Sequence, residues 1–204
     1  YSVSHDLRAP VRHISGFADI LKKNLGADTD PSSSSALTKI RAAAEKMEKL
    51  IDDLLEFSKT GSLEISKSKT DMQAVFESAK KEFCDNMQGR KIEWKISELP
   101  SVYCDRNLIK IVWENLVGNA CKYTSGKEAV IEIGFKDIDK EYEFFIKDNG
   151  AGFDPQFSNK LFGVFQRLHH EKDFPGTGIG LATVRRIISR HGGRTWAESK
   201  GEGK

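Results

Sequence analysis

The chain has 204 residues, enough for one large or two small domains with cores of their own. Lys and Arg (32) nearly balance Asp and Glu (30), leaving +2, and no basic tract or aromatic-basic stripe is present, which argues against a nucleic-acid partner. No apolar run approaches the ~20 residues that span a bilayer, so no membrane contact is expected of this segment; the cysteines Cys84, Cys104 and Cys121 lack metal-ligand spacing and read as free thiols of a reducing, cytoplasmic compartment.

Residues 1 to about 65 carry two apolar stripes. The first is Leu7, Val11, Ile14, Ala18, Leu21 and Leu25; the second is Leu37, Ile40, Ala44, Met47, Ile51 and Leu54. Both step by three and four, the spacing of a heptad seam. Gly26 reads as a helix stop, and Asp28-Thr29-Asp30-Pro31 as a turn followed by a helix start. The spacing therefore predicts an antiparallel helical hairpin, with helices over 1–25 and about 32–59. Further apolar residues (Ile20, Leu50, Leu55, Phe57) make each stripe wider than a two-helix contact. A homodimeric four-helix bundle would cover it; packing on another part of a longer parent chain is the alternative.

At 100° per residue, His5 falls about 160° from Leu7, facing water, and His13 about 120° off the seam. Asp6 follows His5 directly. A carboxylate beside an imidazole fixes its tautomer and accepts its proton, leaving a neutral nitrogen free to attack. Pro10 removes the helical partner of the Asp6 carbonyl, so a local distortion is expected. Ser4-His5-Asp6-Leu7-Arg8-Ala9-Pro10 resembles the H box of sensor histidine kinases, in wording close to phytochrome-like and other PAS-linked kinases. The chain opens with this motif already under way, which reads as the catalytic fragment of a longer protein, soluble or membrane-anchored, with its sensor elsewhere.

From about residue 66 to 204 helices and strands mix. A linker is expected through Thr60-Gly61-Ser62 and Ser66-Lys67-Ser68-Lys69. Helices are predicted over 71–87, from an Asp105 cap to about Tyr123, and over 179–191; strands over 91–96, 129–136, 142–147 and 194–199. A mostly antiparallel sheet with helices suggests an α/β two-layer sandwich.

Three motifs carry chemistry on that frame. Asn115, Asn119 and Lys122 lie three or four apart on one helix face; an amide oxygen suits a hard cation such as Mg2+, and a lysine suits phosphate. Asp148-Asn149-Gly150-Ala151-Gly152 ends a strand, where Asp148 can accept the exocyclic amine of adenine and Gly150 and Gly152 let backbone approach the base. Gly176-Thr177-Gly178-Ile179-Gly180-Leu181 opens the last helix, a Gly-rich N-terminus suited to phosphate but matching neither a Walker A loop nor Gly-x-Gly-x-x-Gly. About 25 residues separate the last two motifs, long for an ordinary connection, and read as a lid from which Arg167 reaches phosphate. His169-His170 has no partners at metal spacing.

In this order the motifs resemble the N, G1, F and G2 boxes of the histidine-kinase ATPase domain, within the wider gyrase, chaperone, kinase and mismatch-repair family. The resemblance implies that Asn119 binds Mg2+ with Asn115 beside it, that Lys122 meets phosphate, that Tyr123 stacks on adenine and that Asp148 reads it. It further implies ATP-dependent autophosphorylation of His5, with Asp6 assisting, in a homodimer, and transfer to an Asp of a response-regulator receiver domain. Hydrolytic members place Glu where Asn115 stands, which favours transfer over hydrolysis. Many kinases carry Thr or Asn four residues after the acceptor His; Ala9 stands there, and weak phosphatase activity is expected. The alternative is a non-catalytic, ATP-binding dimeric scaffold.

Overall fold

The computed structural model describes residues 2–25, 30–84, 90–170 and 172–201; for residues 2–5 and Cys84 it describes the backbone alone. The chain divides into two compact units, Tyr1–Lys59 and Thr60–Lys204.

The first unit is built from α1 (Ser2–Leu25) and most of α2 (Pro31–Ser62). Pro10 lies inside α1, which continues through it. Asp30 starts α2: its carboxylate accepts the Ser32 N–H at 2.9 Å and the Ser33 N–H at 3.0 Å, and Pro31 takes the first helical position, where no N–H is missed. The expected stop at Gly26 and the turn over 28–29 lie outside the described residues. The helices run antiparallel, since Arg8 Nε meets Asp52 Oδ1 at 2.7 Å near one end while Ala18 and Lys22 gather with Leu37 and Arg41 near the other.

The heptad seam turns out to be two lines of different size. Val11, Ala18, Leu37 and Ala44 are buried and close the hairpin, their mostly short side chains letting the helices approach. Leu7, Ile14, Leu21, Leu25, Ile40, Met47 and Leu54 remain between 38% (Leu54) and 51% (Leu21) exposed. Among the described residues no helix is long and apolar enough to cross a membrane.

The second unit contains β1 (Ser68–Asp71), α3 (Met72–Cys84), β2 (Ile92–Ile96), β3 (Ser101–Cys104), α4 (Arg106–Tyr123), β4 (Ala129–Ile138), β5 (Glu141–Asp148) and α5 (Gly180–Arg190). β2, β4 and β5 form one sheet in that order, and β1 pairs antiparallel with β3 in a second. β4 and β5 are an antiparallel hairpin closed at Ile138 and Glu141, with Asp139 at φ 53° in the turn. β2 and β4 are parallel, so the chain must cross over between them, which it does through β3 and α4. Helices and sheet enclose one core around Phe76, whose ring meets Trp113 edge-on at 5.3 Å and Trp94 at 6.4 Å. Truncating an aromatic so placed costs about 3–5 kcal/mol.

Three expectations change here. α2 continues through Thr60-Gly61-Ser62, and Ser68-Lys69 enters β1, so the linker shrinks to a few residues. Within the second unit, Arg190 donates to the carbonyls of Thr60, at 2.6 Å, and Leu63. β1 and β3 were not expected. Residues 194–199 bury alternate side chains but pair with no strand among the described residues, so that segment is not a strand.

Candidate functional site

The site grows from α4 and α5. Asp105 caps α4, accepting the N–H groups of Asn107 at 3.0 Å, Leu108 at 3.1 Å and Ser66 at 3.0 Å. Burial pushes this carboxyl up, but the backbone donors at Leu108, Ser66 and Asn107 outweigh it and hold it below its ordinary value. The cap fixes the helix that carries Asn115, Asn119, Lys122 and Tyr123, all half-buried.

Asn115 uses its amide Nδ2 on the Ile111 carbonyl at 2.8 Å, which turns Oδ1 toward the start of α5. A Cβ on Gly180 would lie 2.4 Å from that oxygen, so a larger residue there would have to displace the Asn115 amide. The Lys122 ammonium lies 4.4 Å from the Tyr123 ring centroid and 3.2 Å from where a Gly176 Cβ would stand. Gly178, at φ 77°, is closed in by the Gln166 carbonyl and Arg167 Cγ. Asn115, Lys122, Arg167 and the Gly176–Gly180 segment are thus one cluster, an oxygen and two cations around glycine backbone at a helix N-terminus.

Tyr123 joins this cluster to the Asp148 turn. Its carbonyl accepts the Ala151 N–H at 3.0 Å. Its ring lies 5.0 Å from Phe174 and 5.4 Å from His169. Burial raises the phenol pKa; Arg167 opposes this and Asp148 reinforces it. Asp148 itself presents open surface, yet the protein around its carboxyl desolvates it and raises its pKa, against the Gly150 N–H at 2.8 Å and the Lys127 charge. Gly152, at φ 63°, faces the Gly201 carbonyl 2.3 Å from its would-be Cβ, and its own carbonyl takes a hydrogen bond from His169 Nε2 at 2.8 Å. That partner puts the proton on Nε2.

The long connection begins with a 3-10 turn (Pro155–Lys160) capped by Asp154, and Arg167 ties its far end by donating to the Phe174 carbonyl at 2.8 Å. Thr177 and Leu181 are half-buried, with Leu181 packed on the core. His5 has its backbone in α1 and Asp6 is exposed; the His5 side chain, with the outward orientation expected for it, lies outside the described residues. Four contributors were missed in the sequence: Lys127, Asn149, Phe174, and the Ser199–Gly201 segment, whose Ser199 Oγ accepts the Phe153 N–H at 3.0 Å. Only Asn149, between Asp and Gly, carried a local turn signal.

An Asp turn and a Gly-rich helix start, bridged by a polar helix face over a mixed sheet, define the ATP-binding domain class shared by histidine kinases, gyrase and chaperones. Residues 104–204 match the family described as histidine kinase-, DNA gyrase B- and HSP90-like ATPase, and residues 1–63 match the His Kinase A (phospho-acceptor) domain. Cyanobacterial phytochrome B of Nostoc sp. is 36% identical over the whole chain, which spans 28% of that relative's length. The Acinetobacter baumannii histidine kinase AdeS shares the fold with TM-score 0.65 at 24% identity, covering 97% of this chain and 92% of that one. Histidine kinase ThkA, solved in complex with response regulator protein TrrA, has TM-score 0.66 at 24% identity, covering 98% of this chain and 57% of that chain. The chain belongs to the sensor histidine kinase family, as a phospho-acceptor domain joined to an ATP-binding domain.

Proposed function

We propose that this chain is the core of an ATP-dependent protein histidine kinase, in which His5 takes the γ-phosphoryl group and passes it to an Asp of a response-regulator receiver domain. The functional boundary between acceptor and ATP-binding parts is placed at about residue 65. The observation that carries the choice of transfer over hydrolysis is the environment of Asn115. Its nitrogen is spent on Ile111, and the neighbouring carboxylate, Glu114, is ion-paired with Lys110, which also holds Glu82 at 3.2 Å. The face of α4 that carries Asn115, Asn119 and Lys122 therefore offers amides and an ammonium, with no carboxylate to activate water.

In this reading Asp148 accepts the adenine amine, Gly150 and Gly152 let the base approach, and Tyr123 lies against it. Lys122, Arg167, Thr177 and the Gly176–Gly180 backbone meet the phosphates, with Leu181 anchoring the helix start. The neutral ring nitrogen of His5 forms the new bond to phosphorus as the bond to the β–γ bridging oxygen breaks; Asp6 takes the ring proton and ADP leaves. Positioning and charge stabilisation supply most of the rate. Among the described residues no cluster of His, Cys, Asp or Glu offers a metal cage. Mg2+ keeps several waters and leans on substrate phosphates, so an amide oxygen beside the phosphate cluster can serve as its protein ligand. Asn119, with Asn115 beside it, would hold it, and when bound it neutralises phosphate charge.

The chain is proposed to act as a homodimer, because Leu7, Ile14, Leu21, Leu25, Ile40, Met47 and Leu54 form an exposed apolar stripe at heptad spacing. Two outcomes check the chemistry. In a single turnover with Mg2+ and ATP, phosphate is expected on the protein well before inorganic phosphate is released; prompt release without protein label refutes transfer. With Ala9 in place of a polar residue, dephosphorylation of a phosphorylated receiver domain is expected to be slow, and Ala9→Asn to accelerate it; rapid dephosphorylation by the unchanged chain refutes this.

A further inference from the structure

We propose that Lys127 is a positioning residue for nucleotide recognition, clamping the turn that presents Asp148. The proposal rests on the reading of Asp148 as the adenine contact. Lys127 lies in the short connection between α4 and β4. Its ammonium donates to the Asn149 carbonyl at 2.8 Å and to the Gly150 carbonyl at 3.1 Å. Two consecutive carbonyls on one ammonium are unlike an ordinary solvated lysine, whose long side chain keeps its rotamer freedom.

The turn is held from its other side by Asn149. Its backbone N–H donates to the Val130 carbonyl at 3.2 Å, its Oδ1 accepts the Val130 N–H at 2.9 Å, and its Nδ2 donates to the Glu128 carbonyl at 2.9 Å. The β4–β5 ladder ends at the Ile131–Asp148 pair, so Asn149 extends it by one step, and Lys127 secures the carbonyls of Asn149 and Gly150 beyond it. Gly150 is thereby fixed with its N–H on Asp148 Oδ1, and the carboxylate is oriented by a turn that Lys127 and Asn149 grip from two directions.

The same lysine acts on charge. Asp148 is faced by Lys127 from the connection and by Tyr123 from α4, whose ring in turn faces Lys122, His169 and Arg167; on the strands, Lys147 beside Asp148 pairs with Glu132. Burial raises the Asp148 pKa and so favours the protonated carboxyl, and the Gly150 N–H and the Lys127 charge oppose that rise.

The test uses the whole chain with Lys127→Met, Lys127→Arg and Asp148→Asn. Amide exchange over 149–151 is measured without nucleotide, and a fluorescent ATP analogue is titrated from pH 5 to pH 8. Lys127→Met is expected to exchange these amides faster, to bind about tenfold more weakly at neutral pH, and to lose binding at a higher pH on acidification; Lys127→Arg is expected to recover most of all three. Native exchange and affinity in Lys127→Met would overturn the proposal. Weaker binding with native exchange would overturn it too, assigning Lys127 to direct contact with the nucleotide. Asp148→Asn that binds as tightly as the native chain would overturn the reading of Asp148, while exchange in Lys127→Met still decides whether the clamp exists.

Discussion

Gly150→Ala is expected to weaken ATP binding at least about a hundredfold while leaving the fold intact. The glycine is buried, and a Cβ there would stand 2.4 Å from Asp148 Oδ1 and 2.7 Å from the Tyr123 carbonyl oxygen. The first neighbour is the proposed adenine acceptor. The second is backbone at the end of α4, immediately beside the ring that lines the site, and backbone cannot swing aside as a flexible side chain does. One of the two must move, and either movement displaces a contact to the base. Loss of one well-placed, partly desolvated hydrogen bond together with disturbed packing corresponds to a weakening of at least about a hundredfold, roughly 2.7 kcal/mol. Calorimetric titration with ATP and Mg2+ checks it, with near-ultraviolet circular dichroism of the Trp113 cluster confirming that the core survives. An affinity within about threefold of the native value would remove Asp148 from the account.

Leu21→Glu combined with Met47→Glu is expected to convert the proposed homodimer to monomer. Both residues lie on the exposed line, at 51% and 48%, and neither belongs to the buried line that closes the hairpin. Each large apolar side chain that a second copy covers contributes about 1.5–3 kcal/mol before entropy is subtracted. Replacing two of them removes that contribution and places two carboxylates, repeated by symmetry, in an apolar seam without partners, where the desolvation cost alone is several kcal/mol per charge. Sedimentation equilibrium at micromolar concentration is the measurement. The paired control Arg12→Glu with Lys46→Glu changes exposed positions outside both apolar lines and is expected to leave the dimer unchanged. Persistence of the dimer in the Leu21/Met47 variant would move the interface elsewhere.

How far the sequence could be read depended on whether a contact was local. Asn115, Asn119 and Lys122 were legible because helix periodicity alone places them on one face, and Gly176 to Gly180 because glycines before an apolar run mark a helix start. The hairpin was legible from heptad spacing, but its division into two lines was not, because both lines share that spacing. Size carried most of the missing signal: Val11, Ala18 and Ala44 on the closed line are small, with Leu37 the exception, while Leu7, Ile14, Leu21 and Met47 on the open line are large. β1 and β3 escaped notice because four residues such as Ser68–Asp71 give too short a pattern, and Thr70 is buried by its partner strand. Residues 194–199 failed in the opposite direction: alternation reports one-sided burial, and burial there comes without a ladder. Lys127 and the Ser199–Gly201 segment act across more than 20 residues of sequence, and no local pattern marks such contacts.

His5 is expected to be phosphorylated by ATP held in the second unit. Incubation with γ-labelled ATP and Mg2+, with and without His5→Gln, followed by acid and base treatment, tests it most directly. Label that survives base, is lost in acid and is absent from His5→Gln is the predicted result, since a phosphoramidate is labile in acid. Label that persists in His5→Gln would contradict it and direct attention to His13, and absence of label in the native chain despite measured ATP binding would favour a dimeric scaffold that binds ATP without transferring it.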